Sequence, residues 1–380
     1  MSKLNFRVLI QSRSNLFKIP GGDTNQIVET AKFLKEYGVD VDISTELKPD
    51  LKGYDLVHLY NLTSVPDVYI QALNARKQGK PVIITPIYIN WREVERFGSY
   101  GIRRILANIL PYSAFQELKI GVKAIKNREF NKKLLLLFIK GYIGLIKKTL
   151  NLADFIVPNS HMEMDAIKKD LKISKIPYSI VYNGIDTEVF DYEKTKIDND
   201  IAVKLKDSII SVSRVAMMKN QINLVKAVNG LPFKLFIIGS SSPNQRFYYE
   251  KLKKIAGENV FFLGFVDRNE LPQYFKAAKV HVLPSWFETT GLVSLEAAAM
   301  KCNVVITKKG YQYEYFKDYA FYCEPDDVNS IRNAILKAFN SPFNEEFCNF
   351  VVNNYSRKEN TLKLLKIYEN FIEREKESGR

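Results

Sequence analysis

Cysteine and histidine are scarce in this chain. Its 380 residues include three cysteines, Cys302, Cys323 and Cys348, and three histidines, His58, His161 and His281, all scattered. That excludes a disulfide framework and a zinc site of paired ligands, and it fits a reducing compartment. Long apolar runs are also missing: residues 134–139 are apolar but Lys140 ends the run, far short of a bilayer span. The basic start of the chain holds an apolar run of only four residues, a first strand and not a secretory leader. No repeat or low-complexity linker is visible. A cytoplasmic protein is expected.

The chain does have enough apolar residues, 46%, for sizeable cores, and at 380 residues two domains are expected. Lys and Arg number 56 against 42 Asp and Glu, a formal net charge of +14. Such a balance favours anionic partners: nucleic acid, phosphorylated ligands or an acidic membrane face.

Short apolar strands alternate with amphipathic helices in two stretches, the pattern of parallel α/β layers. In the first, strands are expected at 6–11, 39–43, 56–59, 82–85, 155–158 and 179–182. Asp23 and Gln26 are expected to cap the helix after the loop Pro20-Gly21-Gly22, and Ser160 with Glu163 to cap a later one. The turn Asn183-Gly184-Ile185-Asp186 and the polar stretch 191–207 mark a boundary. In the second stretch strands are expected at 209–213, 233–238, 260–263, 280–283 and 303–307. Helices are expected at 220–228, 292–300 and 327–339, with Asp267 and Glu270 capping a further one.

Two segments could carry chemistry. In 283–299 a strand stops at Leu283, a loop carries Ser285 and Glu288, Gly291 allows close backbone approach, and a helix bearing Glu296 follows. A helix start suits phosphate, and a carboxylate can accept two hydrogen bonds from a vicinal diol. In 211–221, Arg214 lies just past a strand end and Lys219 at the next helix start. Both belong to the carboxyl edge of a parallel sheet, where two cations could neutralise a diphosphate. Taken singly, these are also what surface charges look like.

Arg214 and Lys219, then Gly239 and Gly264, then Glu288 and Glu296 with seven residues between them, resemble glycosyltransferase family 4. So do Gly21-Gly22 after the first strand, the segment 153–160 and the segment 182–190, so the resemblance covers nearly the whole chain. It implies a GT-B fold, two Rossmann-like domains facing each other across a cleft. The N-terminal, acceptor-binding domain would be 1–184 plus a returning helix at 357–380, and the donor-binding domain 185–356. It implies that Arg214 and Lys219 hold the donor diphosphate, Glu296 the ribose hydroxyls and Glu288 the transferred sugar. The backbone at Thr290, Gly291 and Leu292 would cradle the phosphate. Gly239 and the Gly264-Phe265-Val266 segment would line the base pocket. Gly21 and Gly22 would let the first domain's loop approach the phosphate.

The implied activity is retaining transfer of a sugar from a nucleotide diphosphate-sugar without a metal or other cofactor. Two departures from the family stand out. The segment 85–91, Thr-Pro-Ile-Tyr-Ile-Asn-Trp, lacks the histidine often found there, leaving Tyr88 or Asn90 in its place. Thr289-Thr290 stands where glycine and an aromatic are common.

Other candidates read as structural. His281 lies on a core strand and His161 at a helix start. His58 sits at a strand end, where it would point toward the cleft. Asp40 and Asp42 alternate along a strand, and Asp198 with Asp200 belongs to a solvated turn, so no metal pair is expected. A sugar-nucleotide epimerase would need a first-domain acid–base pair that the sequence does not offer. A nucleic-acid-binding protein would show basic strands interleaved with aromatics or a reading helix. The segment 92–148 holds thirteen Lys and Arg against four Glu, with apolar residues at helical spacing such as Ile102, Ile105, Leu106 and Ile109 beside Arg103 and Arg104. That pattern suits docking on an anionic membrane surface, bringing the enzyme to a lipid-linked glycan acceptor; core helices of the first domain would show the same pattern.

Overall fold

The computed structural model of the protein describes residues 6–99, 101–126, 132–173, 175–242 and 245–377. The chain forms two compact units. The first comprises Met1–Ile89, Ile105–Asn183 and Arg357–Arg380, the second Asn90–Arg104 and Gly184–Ser356.

The first unit holds strands β1 (Arg7–Gln11), β2 (Asp40–Ser44), β3 (Leu56–Tyr60), β4 (Val82–Thr85) and β5 (Phe155–Ile156). They form one parallel sheet in the order β2-β1-β3-β4-β5. β3 and β4 are buried along their whole length, hence their nearly unbroken apolar sequences. β2 is the edge strand and keeps alternation. Its Asp40 and Asp42 face Arg7, at 3.5 and 2.5 Å, and so serve an ion-pair cluster.

The terminal helix Arg357–Glu377 lays Leu364, Leu365 and Tyr368 into the core formed by Val8, Ile10 and Ile27. Tyr368 reaches His58, its hydroxyl 2.5 Å from Nδ1, while Nε2 lies 2.9 Å from Thr85 Oγ1. His58 is fully buried, and desolvation drives its pKa down to about 3. The expectation that His58 points to an open cleft is therefore corrected: it is a neutral clamp between β3, β4 and the last helix.

The second unit holds β6 (Ile209–Val212), β7 (Leu235–Ile238), β8 (Val260–Gly264), β9 (Val280–Leu283), β10 (Asn303–Ile306) and β11 (Phe321–Tyr322). The order is β11-β10-β9-β6-β7-β8, all parallel. Counted from β6 this is the Rossmann order, with winding reversed between β6 and β9. His281 on β9 is buried, its Nε2 3.0 Å from Ser294 Oγ, and burial lowers its pKa to about 3.

Several local expectations change. The first helix, Gly22–Glu36, starts one residue before Asp23, and Gly21 N–H donates to Thr24 Oγ1. Asp23 is taken by Arg13 and Asn61, and Gln26 by Asn159, so neither caps the helix. Ser160 does cap its helix, accepting from Glu163 N–H, while the Glu163 carboxylate accepts from the N–H groups of Asn159 and Tyr88. Asp267 closes a turn onto Asn269 N–H, and the helix Leu271–Ala277 starts without a side-chain cap. Asp198 caps a short helix, Asn199–Leu205, in place of the expected solvated turn. The segment 179–182 forms no strand; it follows β5 through bonds from Ser179 and Val181 N–H. Cys302, Cys323 and Cys348 are buried free thiols.

Candidate active site

The reversal between β6 and β9 leaves a crevice at the strands' carboxyl ends, the place where open α/β sheets bind ligands. Arg214 follows β6. Its backbone is pinned: the Gln221 amide donates to Arg214 O at 2.9 Å and Ser213 Oγ at 3.0 Å. Gly239, ending β7 at φ +135°, passes so close that a Cβ there would stand 1.9 Å from Ser213 O. Gly239 N–H donates to Gly264 O at 2.7 Å. Gly239 and Gly264 are thus adjacent, and Phe265 beyond them is 75% exposed. The Arg214 side chain is exposed and makes no hydrogen bond or ion pair among the described residues.

Lys219 ends a 3-10 turn, Met217–Lys219, after β6. Asn220 next to it adopts φ 61° and donates to Pro284 O and Pro325 O, while Trp286 N–H donates to Met218 O. These bonds lace the β6 loop to the β9 loop. They bring Lys219 Nζ to 2.5 Å from Glu288 Oε1, with 16% and 10% of the two side chains exposed. The two predicted residues, 69 positions apart, meet as one ion pair. Glu288 is held by its backbone as well. Tyr311 N–H donates to Glu288 O, and a Cβ on Gly310 would stand 2.1 Å from that oxygen.

Glu296 sits on the helix Leu292–Ala299 and is 6% exposed. Its Oε1 accepts from Arg268 Nη2 at 2.7 Å, and the Arg268 guanidinium lies 5.6 Å from the Phe190 ring centroid. Arg268 was not singled out by the sequence, where it read as part of a helix start. Gly291 is the N-cap of the Glu296 helix, at φ 76°, and no side chain caps that end. Such a terminus leaves backbone donors for an anion. Leu292 is the first helical residue, and Thr290 is buried with its hydroxyl 3.5 Å from that of Tyr315.

Two buried polar groups lie nearby, Gln312, which the sequence did not single out, and Ser285, which it did. Gln312 donates through Nε2 to Thr307 O, yet its Oε1 has no hydrogen-bond partner among the described residues; the same holds for Ser285 Oγ. Gln312 Oε1 would lie 3.1 Å from a Cβ on Gly291.

Gly21 and Gly22 belong to the first unit, apart from this set. Gly21 is extended, and a Cβ on Gly22 would meet nothing within 4 Å, so packing among the described residues does not demand glycine at 22. Beside them Arg13 and Asp23 pair at 2.7 Å. Burial pushes the Asp23 carboxyl up, but Arg13 and the Asn61 amide more than offset it, and it titrates below its usual range. Of the residues standing where a histidine is common, Tyr88 is buried with its hydroxyl donating to Asp170, and Asn90 accepts from Arg92 N–H. Ile87 between β4 and Tyr88 adopts φ 45°, a strained conformation for a β-branched residue. Among the described residues no group of three or more His, Cys, Asp or Glu could hold a metal.

Residues 193–357 match the family described as glycosyl transferases group 1, which places that domain in the second unit. An uncharacterized 41.2 kDa protein in the cps region of Klebsiella pneumoniae is 32% identical over 163 residues, 42% of this chain and 44% of that protein. The N-acetylgalactosamine-N,N'-diacetylbacillosaminyl-diphospho-undecaprenol 4-alpha-N-acetylgalactosaminyltransferase of Campylobacter jejuni is 32% identical over 184 residues, 47% of this chain and 49% of that one. The chain thus spans about half the length of the curated relatives it matches. Among solved structures, sucrose-phosphate synthase from Thermosynechococcus elongatus superposes with a TM-score of 0.72 at 16% identity, covering 97% of this chain and 99% of that one. Anabaena HepE in complex with UDP and glucose gives 0.69 at 14% identity, covering 96% and 100%. The fold is GT-B, two Rossmann-like domains in one chain.

Proposed function

We propose that the protein is a retaining glycosyltransferase that moves a sugar from a nucleotide diphosphate-sugar to a lipid-linked glycan acceptor, without a metal. The observation that carries this reading is the Lys219–Glu288 pair at the β6/β9 reversal, which ties the loop after β6, where Arg214 also lies, to the loop that leads into an uncapped helix start. The second unit is then the donor domain and the first the acceptor domain. HepE, of like fold, is named as binding UDP; the Campylobacter relative is named for a diphospho-undecaprenol-linked acceptor, and the Klebsiella relative for its cps region. These support assembly of a cell-surface polysaccharide or glycoconjugate by a protein peripheral to the cytoplasmic face of the membrane.

In this mechanism the bond between the anomeric carbon and the donor phosphate breaks, and a bond to the acceptor hydroxyl oxygen forms on the same face. The hydroxyl proton goes to the departing phosphate oxygen. Negative charge grows on that oxygen, and Arg214, Lys219 and the N–H groups at Gly291 and Leu292 stabilise it. Glu296, steadied by Arg268, takes the ribose hydroxyls, and Glu288, neutralised by Lys219, contacts the transferred sugar. Phe265 offers a ring face to the base.

The test is transfer of label from nucleotide-sugars into an organic-extractable product with EDTA present. The α-linked donors should give α-linked product by NMR. Inversion of the anomeric centre, or activity restored only by a divalent ion, would reject the mechanism.

A further inference from the structure

Helices between β4 and β5 show some of their apolar residues to solvent. On the helix Tyr112–Lys126, Leu118, Val122 and Ile125 are 40%, 56% and 62% exposed. They stand at i, i+4 and i+7, one stripe of the helix. On the helix Lys132–Lys140, Leu135, Phe138 and Ile139 are 61%, 56% and 70% exposed, again one stripe. A Cβ on Gly121 would stand 3.2 Å from Phe138 Cζ, so the two helices touch where their stripes run. A solvated helix face of a globular protein is normally polar, and adjoining apolar stripes mark a contact surface. The expected alternative, that the apolar residues of 92–148 pack the first domain's core, holds for Leu137, Leu145 and Ile146, which are buried, but not for these stripes. The side chain of Leu134 lies outside the described residues.

Charge selects the partner. The segment 92–148 carries thirteen Lys and Arg against four Glu. A second copy of the same face would meet its own charge, which argues against self-association. Lys140 ends the helix that carries the second stripe, and Lys148 is exposed in the last turn of the next helix, Tyr142–Leu150, so both add positive charge to this region. Among the described residues no helix is long and apolar enough to cross a membrane.

We propose that this face is an interfacial platform on an anionic bilayer, the stripes of helices Tyr112–Lys126 and Lys132–Lys140 entering the acyl boundary while the lysines of the segment, Lys140 and Lys148 among them, meet the anionic headgroups. The partner deepens the proposed function by naming the surface on which its acceptor would be met, and rests on that reading only for its purpose. An amphipathic face of this kind lies in the plane of the interface and draws strength from both apolar area and lipid charge.

Flotation of the full chain with phosphatidylcholine vesicles, with and without phosphatidylglycerol, tests it in the absence of any nucleotide-sugar. Binding should need phosphatidylglycerol and weaken with salt. Each cation near an acidic leaflet is worth about fivefold in partition, so K140Q/K148Q should bind about thirtyfold more weakly. F138D/I139D should abolish flotation, and F138L/I139V should keep it. All variants should keep the wild-type melting temperature. Donor-induced stabilisation, read on the same samples, should be unaffected, so a failed donor site and a failed platform give different results. No flotation, equal flotation on neutral vesicles, undiminished flotation of F138D/I139D, or salt-reversible dimers in place of vesicle binding would each overturn the platform.

Discussion

Replacing Arg268 with Ala separates positioning from packing in the donor site. Arg268 Nη2 donates to Glu296 Oε1 at 2.7 Å, with 24% and 7% of the two side chains exposed. Removing one partner of a buried pair costs about 3–5 kcal/mol when both are enclosed. Arg268 is a quarter exposed and water can reach its place, so a loss of about 1–2 kcal/mol is expected. In a domain of this size that lowers the melting temperature by roughly 2–8 °C. The unsteadied carboxylate should also lose a charge-assisted bond to the donor, worth about 1.5–3 kcal/mol, or roughly ten- to a hundredfold in affinity. The assay is donor affinity by calorimetry for Arg268→Ala, Glu296→Gln and the double variant. If Arg268 acts through Glu296, the second substitution adds little once the first is made. Wild-type donor affinity in Arg268→Ala, with only the melting temperature lowered, would refute the reasoning.

Further expectations follow from the same geometry. Arg214→Ala should leave the unfolding free energy within about 0.5 kcal/mol of wild type, because the side chain is exposed and makes no hydrogen bond or ion pair among the described residues, while turnover falls by about two to three decades; steady-state rates beside a melting curve decide it. Gly239→Ala should destabilise the second domain by about 3–5 kcal/mol, since its Cβ would meet Ser213 O at 1.9 Å and φ is +135°; soluble protein with an unchanged unfolding midpoint would contradict the close approach. His58 and His281 are both neutral when folded, with pKa values lowered from 6.5 to about 3. The unfolded state therefore binds more protons between those values, and stability is full above pH ~6.5 and lost as pH falls toward 3, by about 1.4 kcal/mol per pH unit for each histidine. His58→Gln should flatten that slope in urea titrations at several pH values, and an unaltered slope would mean that His58 is protonated in place.

The strands were the most legible part of the sequence, because a parallel sheet covered on both faces writes itself as β-branched runs, as in Val82–Thr85 and Val280–Leu283. β11 escaped notice since only Phe321 and Tyr322 pair. Caps were less legible: Ser160 behaves as its pattern suggests, but Asp23 is claimed by Arg13 and Asn61, a tertiary demand no local motif encodes. The candidate site shows the same division. Arg214, Lys219 and Glu288 stood out because each lies between a strand end and the next helix, and Glu296 because it sits on the helix that follows Glu288. That Lys219 pairs with Glu288, or that Arg268 reaches Glu296, depends on loops from different strands meeting at one sheet edge, at separations of 69 and 28 residues. His58 was misread for a like reason, since its partner Tyr368 lies 310 residues away.

The central claim is a nucleotide diphosphate-sugar site built by Arg214, the Lys219–Glu288 pair and Glu296. Its most direct measurement is a thermal-shift titration of the full chain against nucleoside diphosphates and their sugars, alongside Lys219→Met and Glu296→Gln. A ligand at a hundred times its dissociation constant stabilises the folded protein by about 2.7 kcal/mol. The account predicts that at least one base gives a saturable upward shift without added metal, and that both variants lose it while remaining folded. No shift with any of them, or the same shift in wild type and both variants, would contradict it.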